Sequence, residues 1–228
     1  MKLNFWGILM LLLQVCSTVN AQTFTNLTSA LQQPEKVITL NLSGQHITAL
    51  PSNFSKFIHL QKLILNDNAI AAFPTEILHC KKLRVLQLTG NKIARLPKEI
   101  AQLENLEELE IAFNSIVHLP AEIGQLKKLT KLNIANNQLA QLPDNFAQLL
   151  HLSILDLSYN QFTQLPKQIL QLPTLRTLDV TFNKQLKAVG ITSGTLPALR
   201  LMQVKGTALS PSEIQQLNSI IPDCLLVL

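Results

Sequence analysis

The stretch LEELEIAFNSIVHLPAEIGQLKK, residues 106–128, decides the fold of this chain. The next 23 residues, 129–151, read LTKLNIANNQLAQLPDNFAQLLH and place leucine, asparagine and proline at the same offsets. The spacing recurs in both directions, and its first position falls at Val37, Leu60, Leu83, Leu106, Leu129, Leu152 and Leu175. Self-similarity at a fixed period of roughly 20 to 50 residues is typical of stacked repeat architectures.

Each part of the repeat has a physical interpretation. Apolar residues at positions 4 and 6 alternate with outward-facing neighbours, which predicts one short strand per repeat in a parallel ladder. An amide at position 9 can bond backbone groups that would otherwise be buried and unpaired. The predicted asparagine ladder consists of Asn68, Asn91, Asn114, Asn137, Asn160 and Asn183.

A Leu-Pro pair follows the ladder residue in most repeats, for example at Leu119-Pro120. The residue before proline is held extended, and proline fits the first turn of a helix. The apolar i, i+3 spacing that follows, as in Ile100 and Leu103, predicts one short helix per repeat on the outer side.

One repeat cannot bury its own apolar face, so the ends of such a stack need caps. We expect an N-terminal cap at residues 22–36, about eight repeats at 37–209, and a C-terminal capping helix and strand at 210–228. In the C-terminal cap, Ser210-Pro211-Ser212-Glu213 predicts a capping box that starts a helix running to about Ile220. Gln45 and Thr207 replace the ladder asparagine in the first and last repeats.

The full pattern, L-x-x-L-x-L-x-x-N-x-I-x-x-L-P-x-x-I-x-x-L-x-x, resembles the leucine-rich repeat and covers nearly all of residues 37–209. Its segment 119–126, LPAEIGQL, is similar to the 23-residue repeats of the Ras-suppressor-like group and of exported proteins from Bacteroidetes and spirochaetes. The resemblance implies an α/β solenoid, a curved horseshoe with a parallel β-sheet on the concave face and short helices on the convex face.

The first residues of the chain indicate export. Lys2 precedes an apolar run at 5–15, and Val19-Asn20-Ala21 offers small residues for cleavage, so we predict a signal peptide at 1–21. Eleven apolar residues are too few to span a bilayer, which needs roughly 20. Cys16 follows Leu13-Gln14-Val15, a loose lipoprotein box, and an outer-membrane lipoprotein is therefore the alternative to a periplasmic or extracellular protein.

Charge and cysteine content narrow the classes of partner. The formal charge of +5 falls to +4 when Lys2 is removed with the signal, and the basic residues are scattered rather than clustered, which disfavours a nucleic-acid partner. Cys80 and Cys224 lie about six repeats apart, far beyond the roughly 7 Å reach of a disulfide. We expect both cysteines to be buried apolar residues, as in a bacterial repeat protein that lacks disulfide caps.

The concave face is the predicted binding surface. Positions 3, 5, 7 and 8 should project from it, and its middle repeats combine acidic and aromatic side chains, a composition that resembles protein interface anchors. The predicted contact residues are Glu108, Glu110, Phe113, Lys131, Asn133, Asn136, Asp156, Tyr159, Asp179 and Phe182. Aromatic residues at position 8 could equally pack inward over the asparagine ladder, and that alternative stays open at this point.

No pattern indicates catalysis, a metal or a cofactor. The five histidines do not all fall at one repeat position, and the sequence contains no Gly-rich phosphate loop, H-E-x-x-H motif or nucleophile elbow. We therefore expect a monomeric, non-enzymatic scaffold without a membrane span, binding a protein or a glycan on its concave face. The alternative function is a regulatory repeat scaffold in signal transduction.

Overall fold

The computed structural model describes residues 23–192 and 195–228, so the predicted signal peptide and the alternative lipid site at Cys16 lie outside the described residues. One parallel sheet runs through the described part of the chain, and every strand pairs with the next strand in sequence. Its strands are β1 (Thr23–Phe24), β2 (Thr39–Asn41), β3 (Lys62–Ile64), β4 (Val85–Gln87), β5 (Glu108–Glu110), β6 (Lys131–Asn133), β7 (Ile154–Asp156), β8 (Thr177–Asp179), β9 (Leu201–Gln203) and β10 (Leu225–Val227).

The register of the sheet follows the repeat, because residues 23 apart are partners through the central strands. Leu63 pairs with Leu86, Leu86 with Leu109, and Leu109 with Leu132. All of these position-4 side chains are fully buried, as are Leu155 and the other leucines of the series up to β8. The residues on either side of them in each strand remain partly exposed and form what we call the sheet face.

Short 3₁₀ helices, not α-helices, follow the Leu-Pro pairs. They span Ser52–Lys56, Thr75–His79, Lys98–Gln102, Ala121–Gln125, Asp144–Gln148 and Ile169–Gln171. The prediction that proline occupies the first helical turn is wrong. Pro120 has an extended ψ of 149°, and its carbonyl accepts the first i→i+3 hydrogen bond from the N–H of Ile123 at 3.1 Å. The tighter 3₁₀ geometry is used in short segments, which fits the brief helical stretch of each repeat.

The position-9 asparagines join consecutive repeats. The Asn137 Nδ2 donates to the carbonyl oxygens of Ile111, Ile134 and Ala135 at 3.0–3.2 Å, and its Oδ1 accepts from the N–H of Ile116 at 2.9 Å. Ile111 and Ile116 belong to the preceding repeat, so one amide links two turns of the solenoid. The same pattern of donors and acceptors recurs at Asn68, Asn91, Asn114, Asn160 and Asn183.

The residue before each ladder asparagine, at position 8, adopts a left-handed backbone in all eight repeats. Its φ lies between 51° and 70° at Gly44, Asp67, Gly90, Phe113, Asn136, Tyr159, Phe182 and Gly206. Glycine, asparagine and aspartate accept this conformation readily, and they fill five of these positions. The left-handed residue turns the chain from the strand toward the inward-pointing asparagine.

Each end of the described stack has its own cap. At the N-terminal end, Asn26 caps helix α1 (Leu27–Gln32), and the strand β1, which the sequence did not indicate, pairs with β2. At the C-terminal end, Ser210 and Glu213 form a capping box at the start of helix α2 (Pro211–Ile220). In the first repeat, the glutamine that replaces the ladder asparagine bonds to the N-terminal cap. Gln45 Nε2 reaches the carbonyl of Thr25 in the N-terminal cap at 2.8 Å.

The two cysteines of the described residues, Cys80 and Cys224, are buried and unbridged. Burial raises the pKa of the Cys80 thiol to about 12, so this thiol is protonated at neutral pH. None of the helices within residues 23–192 and 195–228 is long and apolar enough to cross a membrane.

The ladder leads to a first prediction. Asn137→Ala should lower the free energy of unfolding by about 3 kcal/mol, because buried backbone groups of two repeats lose their partners. Chemical denaturation followed by circular dichroism measures the change. Gln138→Ala is the matched control, since this neighbouring amide is exposed, and it should change stability by less than about 0.5 kcal/mol. Equal losses in the two variants would show that the ladder amide adds nothing specific.

Candidate functional site

The polar position-5 side chains on the sheet face hold the ends of their own strands. Asn133 Oδ1 accepts from the N–H of Ala135 at 3.0 Å, and Asp156 Oδ1 accepts from the N–H of Ser158 at 2.9 Å. In the same way, Asp179 Oδ1 accepts from the N–H two residues later at 2.8 Å. These predicted contact residues therefore stabilise the backbone at the ends of their strands, in addition to any role in binding.

Two of the predicted contact residues neutralise each other. The Lys131 Nζ lies 2.5 Å from Glu110 Oε1, and both side chains are partly buried. This hydrogen bond raises the pKa of Lys131, and the carboxylates of Glu110 and Glu108 raise it further against the effect of burial. Glu108 and Lys131 are direct partners across β5 and β6. The acidic charge expected around β5 is thus largely compensated.

A pair of carboxylates remains uncompensated farther along the sheet face. Asp156 and Asp179 are direct partners across β7 and β8. Burial raises the pKa of Asp156, hydrogen bonds from Ser158 lower it part of the way, and the Asp179 carboxylate raises it again. Asp179 also accepts a hydrogen bond from Gln203 Nε2 at 3.1 Å. The negative potential of the sheet face is therefore concentrated at β7 and β8.

Three aromatic residues stand at the carboxyl end of the strands, at position 8. Phe113 is 59% exposed and Tyr159 is 46% exposed, so these rings do not cover the asparagine ladder by packing inward. Both have a left-handed backbone, as has the partly buried Phe182. For a bulky L-residue this conformation costs roughly 1–2 kcal/mol. Strained residues that persist on a surface are candidates for function.

The aromatic rings of β7 and β8 form one platform. Tyr159 and Phe182 stack with ring centroids 4.4 Å apart and an interplanar angle of 19°. Gly206, at the same position in the next repeat, leaves room for the ring of Phe182. A Cβ atom built on Gly206 would lie 2.7 Å from Phe182 Cδ1, so a larger residue there would displace the ring. The other face of Tyr159 is turned away from this stack.

Beside the platform lies an open groove of about 900 Å³, which we call the aromatic groove. Its aromatic lining is Phe113, Tyr159 and Phe182, its floor includes Asn114, Asn137 and Asn160 of the ladder, and its remaining lining is Asn136, Ala140, Gln161, Thr163, Lys184 and Gln185. The sequence reasoning missed Gln161, Thr163, Lys184 and Gln185, which lie just past the ladder position. The only sequence signal for them is that they follow an aromatic residue by two to four positions.

The structure thus divides the predicted contact residues into two groups. Glu108, Glu110, Lys131, Asn133, Asp156 and Asp179 lie on the strands of the sheet face. Phe113, Asn136, Tyr159 and Phe182 line the aromatic groove at the carboxyl end of the strands. No group of three or more histidine, cysteine, aspartate or glutamate residues that could hold a metal ion occurs among the described residues.

Comparisons with known proteins agree with this architecture. A family model described as a leucine-rich repeat region matches residues 77–149, and a second, described as a leucine rich repeat, matches residues 127–185. A search of curated proteins gave no match.

Among solved structures, a leucine-rich repeat protein of Leptospira interrogans is 32% identical, with a TM-score of 0.72. The alignment covers 90% of this chain and 58% of the Leptospira protein, so the chain spans less than two thirds of that protein's length. The leucine-rich repeat ectodomain of the plant receptor kinase GASSHO1/SCHENGEN3 from Arabidopsis thaliana is 28% identical, with a TM-score of 0.65 over 91% of this chain and 26% of the other. Internalin C2 of Listeria monocytogenes shares the fold at 21% identity and a TM-score of 0.68, over 86% and 83% of the two chains.

Because the left-handed backbone at position 8 strains an aromatic residue, replacing that residue should stabilise the protein while removing an aromatic side chain from its surface. Phe113→Asn should raise the free energy of unfolding by about 1 kcal/mol, because asparagine tolerates the left-handed backbone and little apolar area is lost. Thermal unfolding measures the change. Val117→Asn is the control, since Val117 is also exposed but has an ordinary backbone, and it should bring no gain. A stability loss in Phe113→Asn would show that the phenylalanine packs favourably instead.

The Asp156 carboxyl predicts a pH-dependent effect. Its folded-state pKa lies above the unfolded value, so ionisation destabilises the folded protein, and the penalty is complete once pH exceeds the folded pKa. Asp156→Asn keeps an acceptor for the N–H of Ser158 and should be more stable than the parent protein at pH 7. The difference should shrink as the pH falls through the folded-state pKa and vanish well below the unfolded-state value of about 3.9, where the aspartate is protonated in both states. Urea unfolding at several pH values tests this, with the exposed Asp223→Asn as a control that should leave the stability unchanged at every pH.

Proposed function

Because the chain is a leucine-rich repeat protein, we propose that it is an exported, non-enzymatic scaffold that binds a protein partner through its sheet face together with the position-8 aromatic residues beside it. The observation that carries this proposal is the row of exposed aromatic side chains held in a strained backbone at position 8. Aromatic residues are enriched among the side chains that dominate protein–protein binding energy. Their position beside the Asp156–Asp179 carboxylates gives the surface both an apolar anchor and a charge.

Rigidity supports a binding role. Each repeat is joined to the next by strand pairing and by a ladder amide, so the aromatic and acidic side chains are held at fixed spacings of about 4.8 Å per strand. A surface that is ordered before binding loses little conformational entropy when the complex forms. Such a rigid surface favours a partner whose shape already complements it over a partner around which the surface would have to close.

Charge defines the expected partner further. Within the part of the chain that the structure describes, the carboxylates at β7 and β8 have no neutralising lysine of the kind that Lys131 provides for Glu110. We therefore infer a partner that places a basic group over Asp156 and Asp179 and an apolar group against Tyr159. The Arabidopsis ectodomain was solved in complex with CASPARIAN STRIP INTEGRITY FACTOR 2, so a leucine-rich repeat ectodomain with a similar fold forms a complex in that case.

Export is the second part of the proposal, and it is supported by the signal-like residues 1–21. Cell fractionation tests it: the protein should be found in the periplasm or the medium, with an N-terminus near Gln22. A chain that retains residues 1–21 in the cytoplasm would contradict export and would favour the regulatory signalling function instead.

Affinity capture tests the binding surface. With the full-length protein as bait, the triple variant Glu110→Lys, Asp156→Lys, Tyr159→Ala should reduce affinity for the captured partner at least about ten-fold, or 1.4 kcal/mol. The control reverses two exposed acids away from the sheet face, Glu104→Lys and Asp223→Lys, and should bind as the parent does. Unchanged affinity in the triple variant, with folding verified by circular dichroism, would refute the proposed surface.

A further inference from the structure

We propose that the aromatic groove is a carbohydrate site, in which one ring of a neutral oligosaccharide lies over Asn136 against the free face of Tyr159. This inference extends the proposed function, because the same aromatic residues border both surfaces, but it concerns a different ligand and different polar contacts. The sheet face offers carboxylates, whereas the groove offers amides and a hydroxyl.

The polar side chains of the groove outside the asparagine ladder are uncommitted. Asn133, Asp156 and Asp179 on the strands, and the asparagines of the ladder, all bond backbone groups. By contrast, the side chains of Asn136, Gln161, Thr163, Lys184 and Gln185 make no hydrogen bond to any other residue within the described part of the chain. Amides and hydroxyls both donate and accept, as the adjacent hydroxyls of a sugar do.

The spacing of the aromatics leaves room for one ring. Phe113 and Tyr159 lie on alternate repeats, about 9.6 Å apart at the roughly 4.8 Å spacing of strands, with the small side chain of Asn136 between them. Phe182 closes the opposite side of Tyr159 by stacking on it. The face of Tyr159 toward Asn136 therefore remains open. An aromatic face is electron-rich and packs well against the polarised C–H groups on one face of a sugar ring.

The floor of the groove favours a sugar over a peptide. Beneath the aromatics lie the ladder residues Asn114, Asn137 and Asn160, and the apolar contribution there is limited to Ala140. A peptide side chain such as leucine would find no apolar pocket below the rings. Lys184 is the one charged residue in the lining, so the groove also lacks the basic cluster that a polyanionic glycan would need.

Tyr159 itself reports on the site, because it is the only tyrosine in the chain and Trp6 is the only tryptophan. In the full-length chain with Trp6→Phe, tyrosine fluorescence should arise from the groove alone. We would titrate this protein with neutral tetrasaccharides of β-linked glucose and of N-acetylglucosamine, and in parallel with a tetrapeptide containing leucine and phenylalanine. A saturable fluorescence change is expected with at least one sugar, and titration calorimetry should give the same affinity.

Two variants identify the contacts. Gln161→Ala and Gln185→Ala should each weaken sugar binding about five-fold, the usual cost of one lost hydrogen bond. Gln171→Ala removes an exposed amide on the helical side and should leave the affinity unchanged. Because neither groove variant alters the carboxylates of the sheet face, both should still capture the protein partner, which separates the two proposals.

Three outcomes would overturn the carbohydrate site. The first is the absence of a saturable change with either sugar, and the second is saturation by the tetrapeptide alone. The third is sugar affinity that is the same in Gln161→Ala, Gln185→Ala and the parent. Loss of partner capture in the triple variant would not decide the carbohydrate site, because that site is tested by calorimetric titration of the parent protein, which does not depend on the partner.

Discussion

The structure depends on the hydrogen bonds of one amide per repeat. A chain that leaves a strand and turns inward exposes carbonyl and N–H groups to an apolar interior, where an unpaired group costs about 1–3 kcal/mol. The asparagine at position 9 bonds these groups in its own repeat and in the repeat before it, as Asn137 does with Ile116 and Ile134. Hydrogen bonds between adjacent repeats thus hold the solenoid together. The same amides fix the register in which the leucine side chains of successive repeats stack.

That register converts a linear sequence into columns of side chains. Position 4 gives a buried column, position 5 a column that holds strand ends, and position 8 a column with a left-handed backbone. The position-8 column explains an otherwise irregular sequence series, because glycine, asparagine and aspartate alternate there with Phe113, Tyr159 and Phe182. Glycine, asparagine and aspartate tolerate the left-handed backbone at this position, whereas aromatic residues disfavour it. Functional sites are the positions at which a protein is expected to depart from local backbone preferences.

Periodicity and residue chemistry were enough to predict the solenoid, its parallel sheet and the residues of the ladder. They also predicted one short helix per repeat, but they did not predict the helix type. The apolar i, i+3 spacing of Ile100 and Leu103 suits an α-helix and a 3₁₀ helix equally. The strand β1 was missed since Thr23 and Phe24 form too short a segment to show alternation. The pairing of Lys131 with Glu110 and the groove beside Tyr159 were also missed, because side-chain pairing between repeats and surface shape depend on rotamers that a repeat pattern does not encode.

The position-8 column also bears on how such a surface could change over generations. Phe113 and Tyr159 are both exposed, so either can be exchanged without opening the leucine core. Duplication or deletion of a whole 23-residue unit between Phe113 and Tyr159 would alter their separation by one strand spacing, about 4.8 Å, while every backbone hydrogen bond is regenerated. Ligand size can therefore be adjusted in discrete steps by gene rearrangement, independently of point substitutions that adjust its chemistry.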